Sequence, residues 1–483
     1  MHVTLISPPF IFPDTYSVVP SHCLGIRYLS AYLRVYGHAV LMVDALQQGL
    51  QQVRPYGAAG CLVGLDQEAI LAAIPQETDL LALSVPFSQL APIAHELVVA
   101  LKQRFPDKLL VMGGVYPSTQ PEQASRSTAD WIVVGEGEDA LRQLADGVPP
   151  DSIRGVYRAP PEDGHFQPAL AIEDLDRLPF PDLDLPAIQS YFRRSSRNHR
   201  QVLTASLITS RGCPYSCEFC SIHPVYGRGW RGRSAGNVLE EIRLLADRFG
   251  VEHFEIEDDN FTLDRQRTIA ILEGIRELQA AGRRISWSTP NGIRIDTLDE
   301  EVIRLMVASG CSEIVLALEH GDPEMLALMD KRLDLGRVFQ VLEQLVRHDM
   351  PSIILFVIVG YPGETGQRFE NSLSTLRKIR RLVGRRVQAC VNIAQPYPGT
   401  RLLENCRANG WLVDPAAHDF LNSRQVMATT HTVHIVTPDF DQAEVLHRVR
   451  RIEAIFEGRM RHLLKGSASL RQLVRRIKSR LAR

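Results

Sequence analysis

No stretch of this chain approaches eighteen consecutive apolar residues, so nothing in it reads as a membrane-spanning helix. A surplus of one charge is missing too. Lys and Arg number 54 against 56 Asp and Glu, a formal net charge of −2, which argues against a global field for nucleic acid, and no nucleic-acid partner is expected. Met1-His2-Val3-Thr4-Leu5-Ile6 lacks the basic start of a signal peptide and reads as a strand. Eight cysteines, irregularly spaced over 483 residues, are too few for a disulfide framework, and the expected location is the cytoplasm. Five of them, Cys23, Cys61, Cys311, Cys390 and Cys406, are expected to stay reduced and pack as small hydrophobes. What is present is ordinary: 45% hydrophobic and 23% charged residues, in a chain long enough for two or three domains.

The other three cysteines fall together. Thr209 to Ile222 reads T-S-R-G-C-P-Y-S-C-E-F-C-S-I, with Cys213, Cys217 and Cys220 at spacings of four and three after the largely apolar run Leu203 to Ile208. Zinc would want a fourth ligand in paired C-x2-C units, and none stands at matching spacing; a zinc knuckle or buried thiols remain the alternatives. Soft thiolates favour iron-sulfur clusters. A [4Fe–4S] cluster held by three cysteines leaves one iron free to take a small molecule.

C-x3-C-x2-C after a strand, with Phe219 just before the last cysteine, resembles the radical S-adenosylmethionine (SAM) superfamily. The resemblance implies that Cys213, Cys217 and Cys220 hold a [4Fe–4S] cluster, that its open iron chelates SAM, and that an electron cleaves SAM to a 5'-deoxyadenosyl radical. A one-electron donor such as flavodoxin or ferredoxin is the implied partner.

Ahead of this motif, strand-like and helix-like segments alternate. Strands are expected at Val3–Ser7, Ala39–Asp44, Leu80–Val85, Leu109–Gly113 and Trp131–Val134, and helices at about Gly25–Tyr36, Ala91–Phe105 and Glu138–Asp146. Gapless apolar runs such as Leu80-Leu81-Ala82-Leu83 suit strands covered on both faces, which predicts a doubly wound parallel sheet. Ligands bind beyond the carboxyl ends of such strands, where this chain has Ser7-Pro8-Pro9, Ser84, Gly113-Gly114 and Gly135-Glu136-Gly137. Gly135-x-Gly137-x-x-Ala140 also matches a dinucleotide fingerprint, but no acidic residue ends a further strand about twenty residues on.

Placed before the cysteine motif, I-S-P-P-F, G-I-R-Y-L-S-A-Y-L-R-V-Y-G-H, V-M-G-G-V-Y-P-S and V-V-G-E-G-E are similar to the cobalamin-binding domain of the cobalamin-dependent radical SAM class, the family of class B-type methylases. Ser84, Gly113, Gly114, Gly135 and Gly137 are the implied cobalamin-binding residues. D-x-H-x-x-G, the source of a lower axial histidine in some cobalamin proteins, is absent, and His22 is the sole nearby candidate. From 149 to 200 periodicity fades into a proline- and aspartate-rich linker.

After the cysteines, strands are expected at Leu203–Thr209, His253–Glu257, Ser286–Thr289, Glu313–Leu318, Ile353–Val359 and Gln388–Gln395, an incomplete (β/α)6 barrel with its site at the strand carboxyl ends. By resemblance, the polar residues there meet SAM: Glu257 and Asp259 after the second strand, Ser288, Asn291 and Arg294 around the third, Glu319 after the fourth and Gly360 after the fifth. The expected division is 1–148 cobalamin-binding, 149–200 linker, 201–410 barrel and 411–483 a small, helical C-terminal region. From Ala443 on, twelve Lys or Arg face three Glu, and Leu470, Leu473, Val474, Ile477 and Leu481 recur at helical spacing. Such a basic amphipathic helix either docks on its own protein or lies on an anionic membrane surface, which would put the enzyme peripherally on the inner face.

The function implied is a methyltransferase acting on an unactivated carbon, or phosphorus, of a lipid or natural-product intermediate by way of methylcobalamin. Oxidative cyclisation or ring contraction on the same cofactors is the alternative. From another class, a sensory protein that binds cobalamin and a cluster without cleaving SAM is the third reading.

Overall fold

The computed structural model describes residues 1–12, 23–57, 60–184, 188, 192–197, 200–415 and 432–456. The first half holds β1 (His2–Ser7), β2 (Phe10–Phe12), β3 (Ala39–Asp44), β4 (Val53–Tyr56), β5 (Gly60–Val63), β6 (Leu80–Ser84), β7 (Leu109–Gly113), β8 (Trp131–Val133) and β9 (Val156–Tyr157). Six of them form one sheet in the order β3-β1-β6-β7-β8-β9, parallel except for β9. Helix Leu24–Val35 leads from β1 to β3 on one side, and the later crossovers build outward from β6 on the other, so the winding reverses between β1 and β6. Doubly wound sheets hold ligands beyond the carboxyl ends of the strands at that reversal. Leu80 to Leu83 are buried to the last residue, as strands covered on both faces require.

The second half holds β10 (Arg193–Arg197), β11 (Arg200–Leu207), β12 (Ser210–Arg211), β13 (Arg231–Gly232), β14 (Val251–Ile256), β15 (Ser286–Ile293), β16 (Cys311–Glu319), β17 (Ile353–Val359) and β18 (Val387–Ile393). Its main sheet runs β10-β11-β14-β15-β16-β17-β18, with six strands parallel and β10 antiparallel at the edge. This is the partial barrel the periodicity implies. Its helices start where a short polar side chain accepts a backbone N–H: Ser234, Asp264, Asp299, Asp334 and Thr365 each cap one. Val238, Ile242 and Leu245 bury the inner face of helix Ala235–Phe249.

The stretch expected to be a linker is taken up at both ends. Ile153, Val156 and Ala169 are buried in the first domain's core, β9 extends its sheet, and β10 extends the barrel sheet. The small antiparallel sheet β2-β5-β4 has no counterpart in the sequence reading. At the far end, helix Gln442–Phe456 packs on the barrel through Val445, Val449 and Ile452. Arg448, one of the basic residues of the tail, is therefore not at a surface; it is buried against Glu364. The amphipathic pattern of 466–483 lies outside the described residues, as does His22. Among the described residues, no helix is long and apolar enough to cross a membrane.

Candidate active site

The cysteine loop is fixed before it begins. Asp258, just past β14, accepts hydrogen bonds from Thr209 N at 2.5 Å, Thr209 Oγ1 at 2.5 Å and Ser210 Oγ at 2.6 Å. Gly212 follows with φ of +83°, and a Cβ there would stand 2.2 Å from Gly229 O, so only glycine fits. Cys213, Cys217 and Cys220 then line one open cavity, together with Tyr215 and Phe219. Burial raises all three thiols above their ordinary value, Cys220 to about 12. Thiols buried this way give up their protons at neutral pH only to a metal centre that takes them as thiolates. Among the described residues no three Cys, His, Asp or Glu side chains close around a single ion. Three thiols on the lining of one cavity offer the ligands of a cubane, one thiolate per iron.

Asp259, Asn291, Arg294 and Glu319 line the same cavity. Burial pushes Asp259 up to about 6, against the Gly212 N–H that it accepts at 3.2 Å. Arg294 is held by Asp296 at 2.8 and 2.9 Å and lies 3.6 Å over the Tyr215 ring. Glu319 takes φ of +67°, rare outside glycine, where the β16 register slips against β17. That kink turns its carboxylate toward Lys331 Nζ at 3.0 Å. Lys331 is a wall residue that the sequence reading missed; it lies beyond a short helix, twelve positions after Glu319, where no strand-end rule reaches.

Three expected residues are not at this wall. Ser288 Oγ bonds His253 Nε2 at 3.0 Å inside the sheet and is spent there. Glu257 Oε1 accepts from Ser206 Oγ at 2.9 Å, leaving Asp259 as the carboxylate of that strand end facing the cavity. Gly360 donates its N–H to Glu364 Oε2 at 2.7 Å and lies under Val445 of the C-terminal helix. Glu364 also holds His320 and Arg448, so the G-Y-P-G-E turn is a buried anchor rather than a cavity rim.

A second cavity opens at the first sheet's carboxyl edge. Ser84, Gly113, Gly114, Gly135 and Gly137 line it. The glycines differ in kind. Gly114 and Gly135 need positive φ, and a Cβ would strike Val85 O at 2.8 Å or Pro168 at 2.9 Å. Gly25, Gly113 and Gly137, also on the lining, have ordinary φ, and a Cβ on each meets nothing closer than 3.6 Å. Their missing side chains serve no backbone need, so they leave room for a bulky ligand, as a cobalamin tail requires.

The two cavities share a partition. Ile222 faces the cysteine cavity, and Val225 and Tyr226 of the short helix that follows face the glycine cavity. Gly399, beyond β18, lies against Pro224, and Thr119 of the first domain approaches the same position. Arg211, two residues before Cys213, crosses to the first domain. It bonds Glu136 at 2.6 Å and Glu138 at 2.7 Å, all three buried, and Arg231 also reaches Glu136.

A family model of the radical SAM superfamily matches residues 207–376, and one of the B12 binding domain matches residues 17–145. An uncharacterized methyltransferase, PH0819, of Pyrococcus horikoshii is 27% identical over 415 residues, 84% of this chain and 83% of that protein. The cytidylyl-2-hydroxyethylphosphonate methyltransferase of Streptomyces wedmorensis is 26% identical over 429 residues, 81% and 79% of the two chains. Among solved structures, the radical SAM methyltransferase TsrM of Kitasatospora setae, with cobalamin and a [4Fe–4S] cluster bound, superposes with a TM-score of 0.65 at 19% identity, over 94% of this chain and 89% of that one. That likeness carries the fold.

Proposed function

Because the chain belongs to the cobalamin-dependent radical SAM enzymes, we propose that it methylates an unactivated carbon, or phosphorus, of a small-molecule acceptor. The observation that supports this reading most is the shared partition, Ile222 to Tyr226, which puts a cluster-binding wall and a glycine-lined cradle back to back. When bound, the cofactors supply the methyl group and the hydrogen-abstracting radical. Cys213, Cys217 and Cys220 bind the cluster. Asp259, Arg294 and Glu319 bind the charged groups of SAM, with Lys331 and Asp296 keeping Glu319 and Arg294 in place. Gly25, Gly113 and Gly137 leave space for cobalamin, and Phe219 and Ile222 keep water from the region between.

Anaerobic reconstitution with SAM carrying a labelled methyl group tests the proposal. About four iron per chain and label in a product are expected, and Cys213→Ala, Cys217→Ala or Cys220→Ala should abolish both. Stoichiometric zinc without a brown chromophore counts against it. Anaerobic magnesium-protoporphyrin IX monomethyl ester cyclases are also among the relatives, so a cyclised product free of label would replace methyl transfer by the competing reaction. Flavodoxin or ferredoxin is the electron donor to supply. A lipid acceptor met at an anionic membrane through 466–483 is the finer form of the proposal. Equal pelleting with anionic vesicles of the full chain and of a chain ending at Lys465 would refute that form.

A further inference from the structure

The cavity below the cysteines is charged on one side only. Its charged side chains are Asp259, Arg294, Glu319 and Lys331, and each has a polar partner: Lys331 on Glu319, Arg294 on Asp296, Asp259 on Gly212 N. Asp259, Arg294 and Glu319 sit at the ends of β14, β15 and β16, and Lys331 follows the short helix after β16. Across the cavity, the ends of β17 and β18 present Phe356, Ile358, Asn392, Ile393 and Tyr397, apolar or neutral to the last. On β18 the alternation places Cys390 on the same face as Asn392, and both are exposed. On β17, Ile354 continues the face of Phe356 and Ile358. The uncharged wall thus runs on from the cluster cavity along the inside of two strands.

We infer that this wall is the acceptor subsite and that the acceptor is uncharged and mainly apolar where it meets the enzyme. The inference rests on the reading of the other wall as the SAM side. A phosphate, phosphonate or carboxylate brought against Phe356, Ile358 and Ile393 would shed its hydration and find no cation among the described residues of this wall. Arg294 and Lys331 are no substitute: drawing Lys331 across would strand Glu319 as a buried, unpaired charge, and Arg294 is held in place by two bonds to Asp296 and one to Lys331 O. Asn392, by contrast, can meet a hydroxyl, ketone or amide, and Tyr397 can cover a ring or chain.

The test uses the reconstituted full chain, reductant and SAM with a labelled methyl group. Extract of the producing cell is divided into two probes, a neutral organic-soluble fraction and a fraction retained on an anion exchanger. Release of 5'-deoxyadenosine above the level without extract reads acceptor engagement whichever product forms. The neutral fraction should raise it about tenfold or more and the anionic fraction should not. Stimulation by the anionic fraction, or by neither, overturns the inference. The label reads a separate question: release stimulated by the neutral fraction with no label in any product keeps the uncharged subsite and sinks methyl transfer. Asn392→Asp then sets a carboxylate on the wall. Asn392 is exposed, and its Nδ2 reaches Cys390 O at 3.5 Å, so the fold does not hang on it. With the cluster chromophore intact, stimulation by the neutral fraction should fall about tenfold; unchanged stimulation overturns the inference.

Discussion

Gly113 and Gly114 look alike in the sequence and do different work. Gly113 ends β7 with ordinary φ, and a Cβ there would touch Val133 Cβ at a comfortable 3.7 Å. A side chain would point into the cavity at little cost to the fold. Gly114 has φ of +106° and stands against the backbone of Val85, so any side chain is strained and blocked at once. Gly113→Leu should therefore melt within a few degrees of the parent while weakening hydroxocobalamin binding about tenfold or more, because the ligand needs close backbone approach. Gly114→Ala should lose stability with or without cobalamin. Thermal melts and absorbance titration separate the two, and full binding by Gly113→Leu would mean that the cradle holds something else. At this scale the three cysteines were legible because their spacing is itself the chemistry. Lys331, and the difference between Gly113 and Gly114, were not, since each depends on a neighbour far along the chain.

Elements were legible where one local rule decided them. The buried parallel strands announced themselves by gapless apolar runs, and β3, β7 and β17 have the expected bounds. The pieces that escaped, β2, β4, β5 and β10, are antiparallel strands of three to five residues, and a run that short carries too little periodicity to signal a strand even where, as for β4 and β10, the partner is the next strand along. A helical C-terminal region was expected, but the burial of this helix escaped for another reason. Its arginines form one basic stretch in the sequence, yet Arg448 is 1% exposed and bonds Glu364 O at 2.7 Å, Glu364 Oε2 at 3.1 Å and Glu444 Oε1 at 2.9 Å. Arg450, two residues on, faces solvent. Arg448→Met would leave Glu364 short of a charge partner in the core, at a cost of about 3–5 kcal/mol. Arg450→Met should move stability by no more than about 0.5 kcal/mol. Urea unfolding of both variants checks this, and equal midpoints would show that the helix is not anchored through Arg448.

For the whole molecule, the junction of the two sheets matters most, and it is built from charge. Glu136 and Glu138 belong to the turn that floors the glycine cavity, and Arg211 precedes Cys213 by two residues. Burial alone would raise the Glu138 carboxyl; the Arg211 guanidinium overrides it and holds the carboxyl below its ordinary value. Burial likewise opposes the charge on Arg211, and the two carboxylates restore it, so its affinity for the proton ends well above normal. One buried cation thus fixes the glycine cradle relative to the cysteine loop. The aromatic faces of Tyr28, from the first domain, and Tyr226, from the second, flank it at 5.4 and 6.0 Å. Because the folded-state value of Glu138 is depressed, its contribution is full above the ordinary glutamate range and is lost as pH falls through the folded-state value. Arg211→Met would keep much of the volume but leave Glu138 without its cation and Glu136 with Arg231 alone, destabilising the junction by about 3–5 kcal/mol. The parent should unfold in one calorimetric transition. Arg211→Met should split it into two, one moved by cobalamin and one by cluster loss, and should flatten the acid limb of the stability profile. A single transition of unchanged midpoint in the variant would show that the domains are held by packing alone.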